Sequence, residues 1–100
     1  MPVPDSTVAC FSVHAAVEPG VMPRVLETIA KRGLVPTRWH SAVVPRVAGP
    51  GRPALGEELA IDIELAGADR RLAELLAAAM RQVAEVELVL TTEKRAALSA

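Results

Sequence analysis

The chain alternates between two kinds of hydrophobic spacing, and their order constrains the fold more than any other feature. A repeat of two residues is typical of a half-buried strand, and a repeat of three or four residues is typical of an amphipathic helix. In chain order the segments are strand 8–15, helix 21–32, strand 34–44, strand 58–66, helix 68–81 and strand 86–92. The sequence therefore predicts the order βαββαβ.

Residues with special backbone preferences mark the helix ends. Pro23 is tolerated only in the first turn of a helix, so the first helix is expected to begin near Val21. Gly33 follows two cations and is free to adopt the positive φ of a helix cap. The second helix has Asp69 in its predicted first turn, where a negative charge suits the helix dipole.

Alternation predicts which side chains of the later strands face the core. In the third strand the inward set is Leu59, Ile61, Ile63 and Leu65, and Asp62 and Glu64 point outward. In the last strand Val86, Leu88 and Leu90 alternate with Glu85, Glu87 and Val89. In the second strand, predicted to start after Pro36, Trp39 and Val43 share one face and Arg38 and His40 the other.

A dense group of helix and strand breakers separates the second strand from the third. Residues 45–56 contain three prolines and three glycines, which neither element can absorb. We predict a flexible loop here that hangs in solvent rather than covering the sheet. The ordered core is expected over about 8–92, with frayed termini that include a tail from Glu93 to Ala100.

A chain of 100 residues is long enough for one two-layer core and too short for two. The element order packs most simply as an antiparallel four-stranded sheet with both helices on one face, which is the α+β ferredoxin-like architecture. Right-handed crossovers place the first and third strands at the sheet centre. The other face of the sheet is then expected to be wet or to lie at an interface.

Composition argues against several classes of partner. The formal net charge is -1 and Phe11 and Trp39 are the only aromatic residues, so neither a basic field nor stacking rings for nucleic acid are expected. Cys10 is the only cysteine, which suits a reducing compartment. No apolar segment approaches the length of a membrane span, and the start of the chain does not resemble a signal peptide. We expect a cytoplasmic protein.

Few residues suggest chemistry. His14 is predicted on the open face of the sheet beside Asp62 and Glu64, a grouping that suits a divalent metal, acid–base chemistry or a polar patch facing solvent or an interface. Nothing in the spacing supplies pocket walls, so we predict no metal and no cofactor. The serines lack a G-x-S-x-G setting, and we expect no enzyme. The start of the first helix, after Gly20, is either an anion site or a simple turn.

The stretch 11–33 resembles ACT domains, and among them most resembles the small regulatory subunit of acetolactate synthase. In that group a first strand runs into a Glu-x-Gly turn, as at 18–20, an Arg-Val pair follows in the helix, as at 24–25, and Arg-Gly ends it, as at 32–33. The likeness extends over about Val8 to Thr91. It implies a ferredoxin-like fold whose copies pair side by side into a larger sheet.

The resemblance also implies a function. Such domains are non-catalytic regulators that bind a small amino acid where the first loop of one subunit meets another subunit, and for acetolactate synthase the effector is a branched-chain amino acid acting on a catalytic subunit. The implied partners are therefore a second copy of the chain, in a dimer or larger homo-oligomer, and a catalytic subunit. Carried over by position, the ligand-binding residues are Val17, Glu18, Pro19, Gly20, Val21, Met22 and Val35.

Two of these positions depart from the family pattern. The regulatory subunits usually have asparagines where this chain has Val17 and Val35, and those amides orient the amino and carboxylate groups of the ligand. Valine makes no hydrogen bond with its side chain. An alternative therefore stays open, in which the chain is a degenerate ACT module used only for dimerisation or protein interaction.

Overall fold

The computed structural model describes residues 7–95, which form four strands and two helices. The elements are β1 (Thr7–Ala15), α1 (Val21–Ala30), β2 (Arg38–Pro45), β3 (Glu57–Ala66), α2 (Arg70–Arg81) and β4 (Val86–Arg95). The predicted order βαββαβ is confirmed. Residues 93–95, predicted to belong to the tail, continue β4 because they pair with the start of β1. The rest of the predicted frayed ends lies outside the described residues.

The strands form one antiparallel sheet in the order β2-β3-β1-β4, with β1 and β3 at its centre as predicted. Both helices cover one face of this sheet. Their buried residues pack against the inward set of the central strands, in a single core made largely of Ala, Val, Ile and Leu around Phe11. The fold is therefore the predicted ferredoxin-like α+β fold.

Alternation correctly assigned the inward side chains of β3. Leu59, Ile61, Ile63 and Leu65 are buried beneath the helices, and Asp62 is exposed on the other side. We call the side of the sheet that faces away from both helices the open face. Each fully buried aliphatic side chain stabilises the fold by about 1.5 to 3 kcal/mol, so this one face supplies much of the driving force for folding.

In β4 the simple alternation predicted from the sequence is wrong, because the strand contains a β-bulge. His14 lies opposite Leu88 and Ala15 lies opposite Val86, so Glu87 is an extra residue between two partners. The bulge reverses the faces of the following residues. Val89 is buried in the core, whereas Leu88 and Leu90 lie on the open face, where Leu90 is 50% exposed.

The helix ends differ slightly from the predictions. α1 begins at Val21 as expected and ends at Ala30, two residues early, and Gly33 adopts the predicted positive φ of 74°. α2 begins at Arg70, because Asp69 is its N-cap: its side chain accepts a hydrogen bond of 2.8 Å from the backbone N–H of Leu72. Neither helix is long and apolar enough to cross a membrane.

Residues 46–56 form a segment that we call the strap. It closes on itself at its base, where the N–H of Arg46 donates to the carbonyl of Gly56 at 2.9 Å. Its arginines reach the open face, where Arg52 pairs with Glu58 and Arg46 pairs with Glu87 of β4. These ion pairs show that the prediction of a loop hanging in solvent is wrong. The prediction rested on the prolines and glycines of the loop, and their number says nothing about ion pairs made with distant strands.

Candidate functional site

The predicted ligand loop is a short, tightly bonded turn between β1 and α1. The N–H of Ala16 donates to the carbonyl of Glu85 at 3.0 Å, and the N–H of Val21 donates to the carbonyl of Glu18 at 3.2 Å. Pro19 fixes the backbone between these bonds, and Gly20 caps the helix without a side-chain hydrogen bond. The turn is thus held at a defined place beside the start of β4.

A small apolar pocket lies beside this turn, which we call the loop pocket. It is lined by Val17, Glu18, Pro19, Met22, Val43 and Leu59 and has a volume of about 180 Å³. The last two residues come from the facing strands β2 and β3, where they are directly opposite each other. Ser41, which also belongs to β2, donates a hydrogen bond of 3.3 Å to the sulfur of Met22. The lining suits an aliphatic group.

Positive charge lies close to the start of α1. A Cβ added at Gly20 would meet the guanidinium carbon of Arg24 at 3.4 Å, so this side chain folds back over the first turn. Arg24 is held there by Glu85, 2.7 Å away. The helix dipole and the guanidinium both favour a carboxylate at this point.

The structure places the seven predicted ligand residues in three environments. Val17, Glu18, Pro19 and Met22 line the loop pocket, and Gly20 lies next to it at the helix cap. Val21 is fully buried in the core. Val35 is 78% exposed and lies beyond the other end of α1, so one copy of the chain does not bring it to the turn.

Sequence reasoning missed the two pocket residues from the sheet. Leu59 was predicted on the inward face of its strand and Val43 on the same face of β2 as Trp39, but their meeting depends on the register of β2 against β3. The alternation within each strand can be predicted from the sequence. The register between β2 and β3 cannot, because the segment that connects them has no standard turn signal. A register assignment would have added both residues.

His14 does not meet the carboxylates predicted beside it. On the open face it lies opposite Ala60, whereas Asp62 lies opposite Ser12. Glu64 instead accepts from Lys94 at 2.8 Å. Within residues 7–95 no group of three His, Cys, Asp or Glu side chains is placed to hold a metal ion.

Glu58 is a further residue whose role the sequence patterns did not indicate. Its side chain is 0% exposed although it lies on the open face, because the strap covers it. It accepts from His14 Nδ1 at 2.9 Å, from the N–H of Val47 at 3.2 Å and from Arg52. Burial alone would raise the pKa of Glu58, but the hydrogen bonds from these three groups outweigh it and lower the pKa.

A second ion pair ties the strap to β4. Arg46 makes a bidentate pair with Glu87, the extra residue of the bulge. This hydrogen-bonded pairing lowers the pKa of Glu87 and raises the pKa of Arg46. The bulge therefore has a structural consequence, because it turns a carboxylate toward the strap.

The chain matches no protein-family model, and no curated protein is significantly similar to it.

Proposed function

We propose that this chain is a non-catalytic regulatory domain of the ACT type, which binds a small aliphatic amino acid at an interface between two copies. The observation that carries the proposal is the loop pocket. Four of the seven positions implied by the family resemblance line one apolar pocket of about 180 Å³. A branched aliphatic side chain is a suitable occupant, and its burial contributes about 1.5 to 3 kcal/mol.

The start of α1 is the proposed binding point for the carboxylate of the same ligand. The positive end of the α1 dipole and the guanidinium of Arg24, which is paired with Glu85, lie next to the apolar lining. Glu18 is the one acidic residue of the pocket lining and is therefore the proposed partner of the ammonium group. A ligand with an aliphatic side chain and both charges fits this combination.

The β2 edge is the proposed contact between copies. β2 has a neighbour on one side only in the described sheet, so its outer backbone groups are available to a second strand. Val43 belongs both to this edge strand and to the loop pocket, and a second copy at this edge would cover the pocket. The opposite edge, β4, is the poorer choice because a bulge and four charged residues interrupt it.

A second candidate function is association without a ligand. It is favoured by Val17 and Val35, which supply no amide to a zwitterion. In this case two copies pair along β2 and apolar side chains of the partner fill the loop pocket. A regulatory effect on a branched-chain biosynthetic enzyme belongs to the first candidate alone.

The two candidates are separated by melting-temperature titrations of the purified protein with each of the twenty amino acids. A ligand at about 100 times its Kd stabilises the folded state by about 2.7 kcal/mol, and we expect this response for a branched-chain amino acid. No response from any amino acid, together with a dimeric mass by light scattering, would support association alone. A monomer without any response would contradict both candidates.

The pocket is tested by a matched pair of variants. Val43 and Val47 are similarly exposed, at 50% and 56%, but only Val43 lines the loop pocket. Val43→Trp should fill the pocket and abolish the response to the amino acid, whereas Val47→Trp should retain it. Equal responses from both variants would place the ligand elsewhere.

A further inference from the structure

The strap is held over the open face by charged groups rather than by apolar packing. Among the described residues, none from 46–56 belongs to the buried apolar core, and Val47 and Leu55 are 56% and 78% exposed. An open cavity of about 540 Å³ adjoins the strap and is lined by Arg46, Pro50, Gly51, Arg52, Glu87 and Leu88. Apolar burial therefore contributes little to keeping the strap in place.

The polar contacts of the strap converge on Glu58. The strap supplies Arg52 and the N–H of Val47, and β1 supplies His14 on the other side of the carboxylate. β4 contributes Glu87, which binds Arg46 and lies 3.4 Å from Arg52. Groups from the strap and β1 thus meet at this one buried carboxylate of β3, and β4 joins the network through the arginines of the strap.

We propose that the strap is an electrostatic latch on the open face: the charged carboxylate of Glu58 holds it closed, and neutralising that carboxylate releases residues 46–56 and uncovers His14 and Leu88. This inference does not depend on the proposed function, because it concerns the opposite face of the sheet from the loop pocket.

Neutralising Glu58 would release the strap because of Arg52, whose side chain is only 9% exposed. Without the charge on Glu58, this buried guanidinium would have a neutral acceptor at that position, and its only ionic contact would be the longer one to Glu87. Moving the strap into water hydrates the guanidinium and breaks no core contact, so local opening costs less than unfolding of the sheet. Because its hydrogen bonds lower the pKa of Glu58, the latch stays closed at neutral pH and opens in acid.

Hydrogen exchange of the whole chain at neutral pH tests this latch. Glu58→Gln keeps the shape of the side chain and removes its charge, and we expect amide exchange of the strap to accelerate by about tenfold or more. The exchange of β1 should stay close to that of the wild type. Glu57→Gln is the matched control, since Glu57 is the exposed neighbour in the same strand and should leave strap exchange unchanged.

An unchanged strap in Glu58→Gln would overturn the proposal, and so would equal acceleration in both variants. If Glu58→Gln does not fold, the wild type decides the question through single amides followed from neutral to acid pH. The protection of the Val47 amide should fall while that of Val13 in the core does not. A parallel fall of both would contradict the latch, because the strap would then open only with the whole domain.

Discussion

At the residue scale, the neighbours Glu58 and Leu59 of β3 are both buried, one as a charged and the other as an apolar side chain, on opposite faces of the sheet. Leu59 is buried in the core on the helix side of the sheet, and Glu58 is buried on the other face by the strap. A carboxylate is rarely fully buried unless it is paired, and here His14, Val47 and Arg52 all donate to it. The pairing makes the stability of the domain sensitive to the charge on one side chain.

The pH dependence of stability follows from the lowered pKa of Glu58. Its contribution is fully present above the pKa that the group has in the unfolded chain, and is lost as the pH falls through the lower folded-state pKa. Glu58→Gln should lower the free energy of unfolding by about 1 to 3 kcal/mol at neutral pH, and the difference from wild type should shrink in acid. Urea denaturation at several pH values measures both effects.

Glu57→Gln serves as the control for this prediction and should change the free energy of unfolding by less than about 0.5 kcal/mol, since Glu57 is exposed. A Glu58→Gln variant with wild-type stability at neutral pH would show that the burial of the carboxylate cancels its hydrogen bonds. A difference that is the same at every pH would contradict the assignment of the effect to its charge.

At the scale of elements, both helices form where their apolar spacing predicts them, but the buried stripe of α2 is narrower than its apolar repeat. In α2 the spacing includes both Leu75 and Leu76, yet Leu76 is fully buried and Leu75 is 52% exposed. Only the centre of the stripe is covered, since the buried residues of α2 are Ala73, Leu76, Ala77 and Met80. A sequence pattern gives the direction of the buried face and leaves its edges undefined.

Leu76→Ala and Leu75→Ala therefore should differ in cost. The first leaves a cavity in the core and should lower the free energy of unfolding by about 2 to 5 kcal/mol. The second removes a side chain that is half in water and should cost less than about 1 kcal/mol. Chemical denaturation of the two variants measures this, and equal losses would mean that α2 is rotated from the position described.

The parts of the structure that the sequence predicts are those that local patterns determine. The strand and helix order, the inward set of β3 and the turn at 16–20 all follow from spacing and breakers. The bulge at Glu87 and the meeting of Val43 with Leu59 depend on strand register, which no local pattern contains. The strap depends on ion pairs between residues far apart in sequence, so its composition alone predicted the wrong arrangement.

At the scale of the whole molecule, the sheet has one face covered by helices and one face covered in part by the strap. Its β2 edge has no neighbouring strand in the described chain and lies beside the loop pocket. The proposed ligand site lies at that edge, and the proposed latch lies on the open face. The two features therefore occupy different surfaces, and variants of one should leave the other intact.

The central claim is that the loop pocket binds a small aliphatic amino acid, and the most direct test is a titration followed through the backbone amides by NMR. We predict saturable shifts on adding a branched-chain amino acid, concentrated at Val17, Gly20, Met22 and Val43, with the strap amides unchanged. If none of the twenty amino acids shifts these four amides, or if the shifts fall on the strap instead, binding at the loop pocket is contradicted.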